Sequence, residues 1–266
     1  MPRANRYHIP GCVWHITHRC HKQEFLLKFE RDRKRWRHWL YEAKKRYGLC
    51  VLNYIVTSNH VHLLVVDTKQ DVIPQSMQLI AGRTGQEYNQ RKKRKGAFWE
   101  DRYHATAVET DKHLAKCLVY IDLNMVRAGV VKHPSEYGLS GFNEIQRPLS
   151  RCTVIDRSAL LGLFAVASEE RFLEEHHHWV EEQLRADGLR RKELWSESIA
   201  VGSEEFVEKI QQQLGARAAG RSVVVEDEGC TLKEAQAPYS SLFEGEMGPL
   251  RPKNSHFWDL NIELSV

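Results

Sequence analysis

Two apolar runs, Leu49–Val56 and His60–Val66, are separated by only three residues, Thr57-Ser58-Asn59. Three polar turn-formers cannot carry the long crossover that parallel strands require, so the runs must return on each other as an antiparallel hairpin. An isolated hairpin is marginally stable in water, so this one needs a third strand or a helix packed against it. Both stand nearby. Val13-Trp14-His15-Ile16-Thr17-His18 alternates apolar and polar residues, the period of a half-buried strand. Arg31 to Tyr47 carries Trp36, Trp39, Leu40, Ala43 and Tyr47 at helical spacings, and Gly48 predicts its C-terminal stop. Val72 to Arg91 reads as a second helix with Pro74 in its first turn. Residues 97–108 predict a strand pair or bent strand. Asp111 is expected to cap a third helix from Lys112 to about Val126, with Gly129 beyond it. The order β-α-β-β-α-β with a further helix predicts an α+β fold, a ferredoxin-like antiparallel sheet with packed helices.

Pro134, Gly138, Gly141 and Pro148 break the chain before residue 150. Two regions are expected: 1–150, and an acidic, mainly helical C-terminal region, 151–266. Helices are predicted near 156–166, 168–186 and 203–214, with loose order from Gly215 onward. Charge divides at the same place. Residues 1–150 hold 26 Lys and Arg against 14 Asp and Glu, whereas 151–266 hold 13 against 21. An excess of +12 on one half of a chain points to a polyanionic partner. No apolar run reaches the ~18 residues of a membrane span, and no apolar segment follows the basic start, so neither a membrane partner nor secretion is expected. The six cysteines contain no C-x-x-C pair and are expected as reduced, mostly buried thiols.

Three short segments could carry chemistry. In Asn59-His60-Val61-His62-Leu63-Leu64-Val65, residues two apart share a strand face, so His60 and His62 point the same way. Two neutral imidazoles side by side can hold a divalent cation, or can be two half-buried histidines on a sheet. In Tyr120-Ile121-Asp122-Leu123-Asn124, Tyr120 and Asn124 share a helix face. A phenol can act as a covalent nucleophile and an amide oxygen as a hard metal ligand; equally, both can be packing residues. Phe98-Trp99-Glu100-Asp101-Arg102-Tyr103 interleaves aromatic rings with a cation, as base stacking beside phosphate demands, or as a strand with two core aromatics would. The run His176-His177-His178 cannot converge on one ion, because consecutive helix residues point about 100° apart.

These segments, with Pro10-Gly11, Trp14-His15-Ile16-Thr17 and Tyr120-Ile121-x-Leu123-Asn124-x-Val126-Arg127-Ala128-Gly129, resemble the single-tyrosine HUH (IS200-like) transposases, in particular the REP-associated tyrosine transposase branch, over about residues 1–145. Met125 stands where the family usually has proline, and Thr57-Ser58 where Met-Pro is common. The resemblance implies the HUH endonuclease fold, with His60 and His62 as metal ligands, Asn124 as the third ligand and Tyr120 as the nucleophile. It implies a Mg²⁺- or Mn²⁺-dependent single-strand DNA nicking and joining enzyme. That enzyme would act on hairpin-forming DNA through a 5′-phosphotyrosine intermediate, with no small-molecule substrate. Arg83, Arg91, Lys92, Lys93, Arg94, Arg102 and Arg127 are the candidate nucleic-acid contacts. A domesticated relative that binds hairpins without cutting them is the alternative. A cytoplasmic, nucleoid-associated monomer is expected, with a dimer as the other option.

Overall fold

The computed structural model describes residues 9–110, 112–148, 151–164, 166, 168–186, 194–226 and 229–234. Strand β1 (Val13–Arg19) leads through a short 3-10 turn into helix α1 (Glu30–Tyr47). Strands β2 (Cys50–Val56) and β3 (His60–Val66) form the predicted hairpin, followed by α2 (Val72–Lys92), β4 (His104–Val108) and α3 (Lys112–Asp122). Gly48 ends α1 as predicted: it sits at φ 71°, and its N–H donates to the Lys44 carbonyl at 2.9 Å. The four strands lie in the order β2-β3-β1-β4, all antiparallel. This is the ferredoxin-like arrangement that the α+β expectation named.

Register divides the side chains between two faces. Thr17 pairs with His62 and His104, and His15 with Leu64 and Thr106. One sheet face therefore collects His15, Thr17, His62, His104 and Thr106. The other collects Trp14, Ile16 and His18 against Val65, Leu63 and Val61. On that second face Trp99 stacks on His18, with centroids 4.1 Å apart, and donates Nε1–H to the Ala81 carbonyl of α2. Trp36, Leu40, Met77 and Ile80 of α1 and α2 are buried in the same core.

The chain departs from expectation in four places. The third helix does not run unbroken to Val126. Leu123 takes φ −81° and ψ 4°, which ends α3 at Asp122, and a four-residue helix α4 (Asn124–Arg127) follows. Of residues 97–108 only β4 is a strand; Trp99 makes a lone bridge to Cys20. The segment read as a broken connection runs along the free edge of β2. Gly141 N–H donates to the Tyr54 carbonyl, Val56 N–H to Leu139, and Asp156 N–H to Val51, at 2.7–3.0 Å. This pairing, together with α5 (Phe142–Gln146), covers an edge that would otherwise offer itself to another strand.

The fourth departure is the largest. Helices α6 (Arg157–Phe164), α7 (Glu169–Arg185) and α9 (Glu204–Leu214) stand where helices were predicted, two of them capped by Ser168 and Ser203. Between and beyond them, after the short α8 (Leu194–Glu197), come three strands: β5 (Ala200–Gly202), β6 (Arg221–Glu226) and β7 (Gly229–Glu234). They extend the same sheet to β2-β3-β1-β4-β5-β7-β6, with β5 parallel to β4. The expected helix cap Asp111 and most of the expected loose tail lie outside the described residues. Among the described residues five of the six cysteines are buried and Cys152 is exposed. Among the described residues, too, no helix is long and apolar enough to cross a membrane.

Candidate functional site

The face that carries His15, Thr17 and His62 is overlain by the end of α3. Tyr120 meets three rings there: His62 at 5.8 Å, His15 at 6.2 Å and Trp195 at 6.1 Å between centroids. The stop at Leu123 does not separate Tyr120 from Asn124, because Leu123 N–H still donates to the Val119 carbonyl and Ala128 N–H to that of Asn124. Asn124 Nδ2 lies 3.0 Å from His62 Nε2. His60 and His62 stand edge to face with centroids 5.0 Å apart. A cleft of about 490 Å³ is lined by all four residues, together with His104, Arg102, Arg127, Ser196 and Glu197. The sheet thus brings His60, His62, Tyr120 and Asn124 together from two motifs some sixty residues apart.

The hydrogen bonds fix how the imidazoles present themselves. His60 Nδ1 lies 2.7 Å from Asn59 Oδ1 and 3.0 Å from Thr57 Oγ1. A hydrogen on Nδ1 satisfies the amide oxygen and leaves Nε2 as the lone-pair nitrogen. The Thr57-Ser58-Asn59 turn therefore orients a ring as well as reversing the chain. His62 Nδ1 lies 2.9 Å from His15 Nε2, with the ring centroids 5.1 Å apart and the ring planes 8° from parallel. In the sequence His15 has no role beyond its place in an alternating strand and in the Trp14-His15-Ile16-Thr17 segment of the family resemblance. It is fully buried, and burial pushes its pKa down to about 3, so it is neutral at physiological pH.

The basic residues fall into two groups. Arg102 and Arg127 line the cleft. Arg127 donates Nη2–H to the Tyr120 carbonyl at 2.7 Å, and its guanidinium lies 4.0 Å from the Tyr120 ring centre. Burial lowers its pKa from the ordinary arginine value, opposed by Tyr120. Arg83, Arg91, Lys92, Lys93 and Arg94 are not among the cleft-lining residues. They sit on α2 or just past its end: Arg83 over Trp39, Arg91 paired with Asp32, Lys92 over the exposed ring of Phe29, and Arg94 3.6 Å from Glu24. Phe25 and Phe29 are 64% and 55% exposed, and Phe29 lies under Lys92. In the His176 run only His176 turns inward, where its Nε2 pairs with Asp122 at 2.8 Å.

His18, one of the residues lining the cleft, supplies a test of the packing around it. Burial holds its pKa down at about 4, against 6.5 in an unfolded chain. Between these values the unfolded chain binds a proton that the folded chain refuses, so stability rises with pH across this window. Urea unfolding from pH 4.5 to 6.5 should show this rise. His18→Phe should remove up to about 1.4 kcal/mol per pH unit of its slope. An unchanged slope in the variant would contradict the assignment.

The donor set fits a divalent cation. Two imidazoles with oriented Nε2 atoms and a side-chain amide suit Mn²⁺ or Mg²⁺ completed by water and phosphate oxygens. Which Asn124 atom faces the imidazole is a matter of amide orientation, and a half-turn about χ2 presents the oxygen. Among the described residues no three or more of His, Cys, Asp and Glu gather in a ligand-like group, so the set depends on Asn124 as its third member.

Residues 8–124 match the family model of IS200-like transposases. The chain is similar to a REP-associated tyrosine transposase solved bound to a REP hairpin, at 22% identity and a TM-score of 0.47 over 60% of this chain and 96% of that one. It is also similar to a transposase-like protein from Deinococcus radiodurans (15% identity, TM-score 0.33, 49% of this chain and 98% of that one). A third likeness is to tRNA(His) guanylyltransferase from Saccharomyces cerevisiae (9% identity, TM-score 0.36, 73% of this chain and 87% of that one). No curated protein matches the chain.

Proposed function

We propose that this chain, whose residues 8–124 match the family model of IS200-like transposases, cuts and rejoins single-stranded, hairpin-forming DNA through Tyr120. The observation that carries the reading is the meeting of Tyr120, His60, His62 and Asn124 in one cleft. The phenol oxygen of Tyr120 attacks a phosphodiester phosphorus. An O–P bond to tyrosine forms, the bond to the 3′ oxygen breaks, the phenol proton passes to solvent, and the departing 3′ oxygen takes up a proton. A 5′-phosphotyrosine and a free 3′-OH result. Attack by a 3′-OH reverses the step and joins strands without ATP, since one phosphodiester replaces another.

A divalent ion held by His60, His62 and Asn124 would offset negative charge on the phosphate, help worth about 10²–10³ in rate at comparable charge-stabilising sites. Arg127 tethers the Tyr120 backbone and lays a cation on its ring, which holds the phenol against the imidazole face. Trp195, itself almost fully buried, packs against the ring with centroids 6.1 Å apart. Arg102 lies at the cleft wall, where a strand backbone would pass. Residues 1–150 carry the chemistry in this reading, and 151–266 support it; the chain acts as a monomer.

The test is to incubate the protein with a labelled hairpin oligonucleotide and Mn²⁺ and to run the mixture on a denaturing gel. A metal-dependent covalent adduct is expected. Binding that is indifferent to EDTA, with no adduct under Mn²⁺ or Mg²⁺, would replace this reading with that of a non-cleaving hairpin-binding protein. Hairpin affinity should also fall with salt, with a log–log slope of about −0.7 per phosphate neutralised on a single strand. Substituting Lys92 or Lys93 should reduce that slope by less than one phosphate each, while a flat salt profile would remove the basic groups from substrate contact.

A further inference from the structure

An amide, two imidazole rings and a carbonyl form a file into the sheet: Asn124, His62, His15 and the backbone oxygen of Trp195. His15 Nδ1 lies 2.9 Å from that oxygen, and His15 Nε2 lies 2.9 Å from His62 Nδ1. We infer that His15 is a positioning residue, which, anchored on the Trp195 carbonyl, fixes His62 in the tautomer that binds metal. The inference rests on the metal reading above, but it concerns a residue and a segment outside the ligand set.

The argument is one of counting hydrogens. A carbonyl oxygen only accepts, so His15 Nδ1 must carry a hydrogen. A neutral imidazole has one such hydrogen, so His15 Nε2 is left with a lone pair. The 2.9 Å contact to His62 Nδ1 then needs its hydrogen from His62. With Nδ1 protonated, His62 Nε2 keeps its lone pair, and that is the atom facing Asn124. The opposite assignment would press two lone pairs together at the carbonyl. It would do so in a place with no water to relieve it, since His15 is 0% and His62 4% exposed.

Other contacts hold the anchor still. Thr106 Oγ1 donates to the Ser198 carbonyl at 2.6 Å, and β5 pairs in parallel with β4 just beyond. The Trp195 oxygen is thereby left to His15 as its nearest donor. Trp195 lies beyond residue 150, so the acidic C-terminal region sets the proton position on a candidate ligand of the basic half. Metal affinity and the integrity of residues 194–202 are coupled through one imidazole.

The experiment measures Mn²⁺ binding to the full chain by calorimetry, with no DNA present, for the wild type, His15→Phe and His15→Gln. The Phe ring fills the space but cannot accept from His62 Nδ1. The Gln amide oxygen can. Phe should weaken Mn²⁺ binding about 10–100-fold, the usual range for an outer partner of a metal-bound histidine, and Gln should recover most of it. Equal affinity in the wild type and the Phe variant would overturn the inference while leaving the metal reading intact. Long-range ¹H–¹⁵N correlation spectra of the metal-free wild type give an independent answer, even if the Phe variant does not fold. A hydrogen on His62 Nδ1 is expected, and a hydrogen on Nε2 would overturn the inference. A wild type that binds no Mn²⁺ but shows the Nδ1 hydrogen would defeat the metal reading alone.

Discussion

Tyr120→Phe abolishes the covalent adduct with a hairpin oligonucleotide and leaves hairpin affinity unchanged. The substitution removes the phenol oxygen together with the hydrogen bond and charge interaction that it makes with Arg127. The ring's contacts with His62, His15, Trp195 and the Arg127 guanidinium involve its carbon framework, and phenylalanine keeps that framework. Arg127 still donates to the backbone carbonyl of residue 120. What is lost is the atom that would bond to phosphorus. Where a nucleophile is deleted from a preorganised site, the rate falls by roughly 10⁴-fold or more, and residual turnover reflects binding and charge stabilisation alone. Adduct yield on a denaturing gel measures this directly. An adduct that survives at wild-type yield would take Tyr120 out of the chemistry.

The second large effect is on stability. Asp122, at the last turn of the helix that carries Tyr120, is buried between Asn53 of β2 and His176 of α7, at 2.9 and 2.8 Å. Neither Asp122 nor His176 has an exposed side chain, and Gln146 lies 2.7 Å from the other His176 nitrogen. This chain of polar groups ties the nucleophile helix to the sheet and to the C-terminal region. His176→Ala leaves a carboxylate buried with one partner gone and should cost about 3–5 kcal/mol in urea unfolding. Asp122→Asn removes the charge but keeps groups that can bond Asn53 and His176, so it should cost less. A loss under about 1 kcal/mol for His176→Ala would mean that the pair does not clamp the helix.

Much of this was legible in the sequence, for identifiable reasons. A three-residue turn between two apolar runs permits only a hairpin, and strand alternation places His60 and His62 on one face. The α1 stop at Gly48 depends only on local backbone chemistry. Contacts between distant segments were not legible. His15 reads as an ordinary polar position of an alternating strand until cross-strand register sets Thr17 opposite His62 and leaves His15 two residues away on the same face. Strand β5 has three residues, Ala200-Val201-Gly202, too few to show any period, and exists because β4 and β7 flank it. Strand β6 is half exposed at the end of the sheet, so its Val223-Val224-Val225 run shows no alternation. The seal over the β2 edge is made by backbone groups of Leu139, Gly141 and Asp156, which side-chain patterns do not record. The helix stop at Leu123 is a backbone departure with no glycine or proline to announce it.

The central claim is that the phenol of Tyr120 becomes bonded to DNA beside the imidazoles of β3. It is tested most directly by digesting the Mn²⁺-formed adduct with protease and nuclease and sequencing the nucleotide-bearing peptide by mass spectrometry. The account predicts a 5′-phosphorylated nucleotide on Tyr120, within the peptide that spans α3 and α4. A nucleotide on any other residue, or unmodified Tyr120 in cleaved material, would contradict it.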